Sequence, residues 1–127
     1  MQAAIAKFCA ELGVDPLLVQ GAGGNISWKD ETNAILWVKA SGTWLAEAMQ
    51  KDIFVPVNLL HLRHAIQRHD FSVIPQLQGE SVLRPSIETL LHALMPQRIV
   101  VHLHAIEILA HLVRVDCEEN IQSLFDN

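Results

Sequence analysis

The chain has 127 residues, 50% of them apolar and 18% charged, which reads as a single folded domain (1–127) with its own hydrophobic core and excludes a disordered chain. A net charge of -5 without a local Lys/Arg cluster excludes a nucleic-acid footprint. No run of about 18 uncharged apolar residues argues for a membrane span, and Cys9 and Cys117 are too few for a disulfide framework or a cysteine zinc site.

The opening "MQAAIAKFCAELGV" carries Lys7 and Glu11 among apolar positions at helical spacing. It reads as an amphipathic helix over about Ala3–Leu12, stopped at Gly13, and not as a secretion signal, so a cytoplasmic protein is expected. Asp15-Pro16 can open a short helical turn. "QGAGGNISWKD" follows, the densest glycine cluster in the chain, and then "AILWVKA", with the β-branched and aromatic content of a strand. The intervening "KDET" is a natural hairpin turn, so "NISW" and "AILWV" are expected to pair antiparallel.

"SGTWLAEAMQ" predicts a turn and a short helix, and "DIFVPV" a strand in which Pro56 argues for an edge or a strand end. Asn58 can cap the helix "LLHLRHAIQRH". A loop rich in Pro, Gln and Gly (Ser72 to Gly79) leads to "LRPSIETLLHALMP", where Ser86 can cap a helix that Pro96 terminates. The strand "RIVVHLH" comes next, then a helix from about Ala105 to Val113. Asp116, with Glu119 three residues on, opens a last helix running to the end of the chain. Helices interleave with hairpin-like strands, which predicts an α/β fold: a three-layer α/β/α sandwich with a mixed, largely antiparallel sheet.

Four short segments can carry chemistry. "IVVHLHA" places His102 and His104 two residues apart, hence on one face of a strand, within reach of a single ion. Neutral imidazole suits zinc and related metals; the plainer reading is two polar positions on a half-buried face. "GAGGN" can cradle an anion through backbone N–H groups or serve only as a tight turn. It fails as a dinucleotide fingerprint, because a strand and not a helix follows it. "KASG" (Lys39 to Gly42) is a second small-residue turn directly after a strand. "RPSIE" (Arg84 to Glu88) brings together a hydroxyl, a helix start and a carboxylate.

The order "GGN-S", "K-SG", "RPS-E", "VVH-HA" resembles the class II aldolase/adducin family, that of L-fuculose-phosphate and L-rhamnulose-phosphate aldolases and L-ribulose-phosphate 4-epimerase. The likeness spans about Gly21 to His111. It implies that His102 and His104 are two ligands of a catalytic divalent metal, usually zinc. It further implies that Glu88 is the acid/base or a further ligand, and that Gly24, Asn25, Ser41, Gly42 and Ser86 bind the substrate phosphate. The implied activity is carbon–carbon lyase chemistry of the aldolase type, in carbohydrate metabolism, on a small, phosphorylated ketose or related hydroxy-carbonyl sugar. Such a metal can absorb the negative charge that retro-aldol cleavage develops on adjacent oxygens, with a carboxylate moving the proton. Members are commonly tetramers with active sites at subunit interfaces, so a homo-oligomer is expected.

Two positions depart from the family pattern. Ile87 stands where a second hydroxyl is usual, and the family's third histidine ligand, which comes later in its domain, has no counterpart before Asn127. His111, on the following helix, is a poor substitute. The alternative to an enzyme is therefore a shortened, non-catalytic fold of this family kept for association, as in adducin. His61, His64, His69 and His92 fall on predicted helices and read as surface or hydrogen-bonded residues. Trp28, Trp37 and Trp44 read as packing residues, Trp44 with a place at a pocket mouth.

Overall fold

The structure is a computed structural model and describes residues 1–125. Four strands form one sheet in the order β3-β2-β1-β4, with β1 (Asn25–Asp30), β2 (Ile35–Lys39), β3 (Phe54–Asn58) and β4 (Ile99–His102). All three pairings are antiparallel, so the sheet is uniform and not mixed among the described strands. The expected hairpin is β1–β2, in the register Trp28↔Trp37. Helices α1 (Gln2–Gly13), α2 (Leu59–Gln67), α3 (Thr89–Leu94), α4 (Ile106–Leu112) and α5 (Cys117–Phe125) complete the described chain. The end of the last helix lies outside the described residues.

Strand alternation sorts the core into two layers of side chains. Ile26, Trp28 and Phe54 leave one face of the sheet and meet Ile5 and Cys9 of α1, with Leu45 of a short 3-10 turn (Leu45–Glu47). Trp28 stacks on Trp37 at 5.6 Å between centroids and meets the edge of Phe54 at 4.8 Å. Leu36, Val38, Val55 and Val57 leave the other face and pack on Leu59 and Leu62 of α2 and Ala93 of α3. Each fully buried aliphatic side chain of this kind contributes about 1.5–3 kcal/mol. The result is the expected helix–sheet–helix sandwich.

Local chemistry accounts for the boundaries. Asn58 caps α2, its side chain accepting from His61 N at 2.9 Å. Pro56 sits in β3 at the sheet edge, where its missing N–H costs no ladder bond; its carbonyl accepts from Gln78 N at 2.9 Å. Gly13 differs from expectation. α1 includes it, and its backbone stays right-handed into Val14; a Cβ there would lie 2.2 Å from Ala46 N, so the glycine permits close approach of α1 to the 3-10 turn. Ser86 is not the cap residue of α3, since Glu88 occupies that position. Ser86 instead accepts from Glu88 N at 3.3 Å, one step earlier in the turn.

Candidate functional site

Because β1 is antiparallel to both neighbours, its first residue meets the last residues of β2 and β4. Asn25 pairs with His102 across one boundary, and Lys39 closes the other strand at the same end of the sheet. Here the four chemical segments converge. A pocket of about 270 Å³ is lined by Ala22, Gly23 and Gly24 from the glycine cluster, and by Lys39, Ser41 and Gly42. Ser86, Ile87, Glu88 and His104 complete its wall.

Hydrogen bonds tie these loops together. Lys39 Nζ, fully withdrawn from solvent, donates to Ala22 O at 3.0 Å and Thr43 O at 2.7 Å, bridging the two glycine turns. Ser41 N donates to Arg84 O at 2.9 Å, which binds the second turn to the Ser86 segment. Burial lowers the pKa of Lys39 and the carboxylate of Glu88 pulls it back up. Lys39 opens "KASG", and its place in the site does not follow from that motif. Its signal was a lysine at a strand end beside two turns rich in carbonyls.

His104 does not continue β4 as expected. The strand ends at His102, because Gly24, the next residue opposite, has φ +69 and cannot extend the ladder. The chain turns away, and His104 N donates to Leu18 O at 3.0 Å. The two imidazoles nevertheless remain neighbours, with ring centroids 5.0 Å apart. Two imidazoles bound tetrahedrally to one zinc, with Zn–N about 2.0–2.1 Å, place their centroids about 5 Å apart. Gly23 makes room for His104: a Cβ there would come within 2.8 Å of its Nδ1.

Glu88 approaches from α3, with Oε1 2.8 Å from His102 Nδ1, and its Oε2 accepts from Ser86 Oγ at 3.3 Å. Asn25 is buried, and neither atom of its amide has a hydrogen-bond partner. Every candidate residue except Asn25 and His102 lines the pocket, and those two face each other at its border. His111 lies on α4, outside this cluster.

His92 departs from its reading as one more helical histidine. It is fully buried on α3, and its Nδ1 lies 2.7 Å from Ser27 Oγ of β1. Burial pushes its pKa from 6.5 down to about 4, against the attraction of Glu88, so the ring is neutral at pH 7. Glu88, His92 and His102 each offer a donor atom within 4.8 Å of the others, among the described residues. The signal in the sequence was the spacing of Glu88 and His92, four residues apart and so on one helical face. The donor set of one carboxylate and neutral imidazoles suits a divalent ion such as zinc.

Known proteins agree with this architecture. The chain is 28% identical to the solved N-terminal class II aldolase domain of a conserved protein from Thermoplasma acidophilum, with a TM-score of 0.68. That match covers 87% of this chain and 58% of the solved one. It is also 34% identical over 107 residues to a Bacillus subtilis (strain 168) protein named uncharacterized oxidoreductase YuxG, covering 73% of this chain and 15% of that protein. The family profile described as Class II Aldolase and Adducin N-terminal domain matches residues 3–120, and the chain belongs to that family.

Proposed function

We propose that this chain is an aldolase-type, metal-dependent lyase unit acting on a small phosphorylated ketose or related hydroxy-carbonyl sugar. The observation that carries the reading is the convergence of Gly24, Ser41, Gly42 and Ser86 with Glu88 and His104 around one pocket of about 270 Å³. In this reading the glycine turns, held together by the buried Lys39, and Ser86 bind the phosphate, with Asn25 at the border offering its unpartnered amide. His102 and His104 hold the divalent metal, zinc by its donor chemistry, and Glu88 moves the proton. When bound, the ion would supply Lewis-acid stabilisation of charge on the adjacent substrate oxygens. The 2.8 Å between Glu88 and His102 keeps the proton-transfer group beside the site of charge development.

A homo-oligomer belongs to the same proposal, since β4 is an edge strand of the sheet and carries the exposed apolar residues Ile99 and Val101. No described helix is long and apolar enough to cross a membrane. The test is cleavage of a panel of ketose 1-phosphates by the zinc-loaded chain, read as release of the triose phosphate. Activity abolished by chelator and lowered at least about 100-fold by Glu88→Gln supports the reading. No cleavage, together with no binding of inorganic phosphate, supports the associative alternative instead.

A further inference from the structure

A second cavity, of about 440 Å³, is lined chiefly by Phe71, Val73, Ile74, Ile87 and Leu90, with Arg84 as its charged residue. It shares Ser86 and Ile87 with the pocket already described. Val73 and Leu90 are half-buried and pack on the core layer of Leu59 and Leu62, whereas Ile74 and Ile87 are 82% and 97% exposed. The backbone holds both walls. Gln76 O accepts from Asn58 N at 2.8 Å and Gln78 N donates to Pro56 O at 2.9 Å, which fastens the loop to β3. Arg84 O accepts from Ser41 N at 2.9 Å and Pro85 bridges to Ala40, which fastens the other wall to the end of β2. Pro75 and Pro85 lie in the lining with fixed φ. A preformed concavity within the range of about 300–1,000 Å³, apolar with few polar groups, has the properties of a small-molecule site.

Arg84 decides the class of ligand. It makes no ion pair among the described residues, and no carboxylate belongs to the cavity lining. A guanidinium presents a planar fork of donors that matches a carboxylate, and the walls around it offer only hydrocarbon to the rest of the molecule. We propose that this cavity binds a small apolar carboxylic acid, its carboxylate on Arg84 and its aryl or branched aliphatic body against Phe71, Ile74 and Ile87. The exposed aliphatic rim is then the part of the site that the ligand covers. This site needs neither the metal nor the lyase reaction, so it stands or falls apart from them.

The experiment titrates the full chain, ¹³C-labelled in its Ile, Leu and Val methyl groups, with phenylacetate and separately with its neutral analogue phenylacetamide. Phenylacetate should move the methyl signals of Val73, Ile74, Ile87 and Leu90 saturably. It should bind roughly 10-fold more tightly than the amide, the difference that one charged hydrogen bond makes. Arg84→Gln should abolish that preference, and Phe71→Ala should weaken both probes. The comparison of acid and amide on the wild type decides the matter even if a variant does not fold. Equal binding of the two probes overturns the carboxylate assignment, and no saturable movement of these methyls at millimolar phenylacetate overturns the site. Movement of the same signals with protein concentration alone would show a second copy of the chain on this face, which also overturns it.

Discussion

Acidification of the metal-free chain should destabilise it through His92. The ring has no exposed surface, and burial holds its pKa at about 4, against 6.5 for an ordinary histidine. Between those two values the unfolded chain binds a proton that the folded chain does not, so falling pH favours unfolding. The contribution of neutral His92 is fully present above pH 6.5 and is lost as pH falls toward 4. At about 1.4 kcal/mol per pH unit, the gap between 6.5 and about 4 amounts to on the order of 3 kcal/mol. The assay is urea unfolding at intervals from pH 8 to 4.5 in the presence of chelator, on wild type and on His92→Gln. Glutamine retains a partner for Ser27 and does not titrate, so the other six histidines cancel in the difference. The wild-type free energy should fall more steeply below pH 6.5, with unchanged denaturant slopes. Parallel pH profiles for the two proteins would refute the argument.

Three substitutions probe the pocket. Lys39→Met removes the buried ammonium whose charged hydrogen bonds hold the two glycine turns together, and with the turns loosened inorganic phosphate affinity should fall roughly 10-fold by calorimetry. Gly23→Ala places a methyl group 2.8 Å from His104 Nδ1 and 2.9 Å from Gln20 O; lyase turnover should drop about 100-fold while the circular dichroism spectrum is retained. Ile87→Ser restores a hydroxyl on the pocket wall, and phosphate affinity should rise about fivefold, the value of one ordinary hydrogen bond.

The elements that could be read from the amino acids were those whose local chemistry and tertiary role agree. The β1–β2 hairpin follows from its turn and its alternating side chains, the α2 start from Asn58, and the edge position of β3 from Pro56. The four segments at the sheet end were legible as an ordered set, since each is a turn or strand end with a distinctive residue. What stayed hidden depends on contacts between segments far apart in the chain. His92 sits among leucines and looks like any helical histidine until Ser27, 65 positions earlier, is found against it. Lys29 and Lys39 resemble solvated strand residues, yet both are buried, Lys29 donating to Met95 O and Gln97 O at 2.7 Å each. The early end of β4 was invisible because it is decided by the left-handed backbone of Gly24 on the opposing strand.

The claim at the centre of this account is that the histidine cluster at the sheet end is a metal site. Its most direct test is zinc binding at pH 7.5 by calorimetry, on the wild-type chain and on the double variant His102→Ala with His104→Ala. One zinc should bind per wild-type chain, with an affinity lowered at least about 100-fold in the double variant. Equal affinity in the two proteins would contradict the claim.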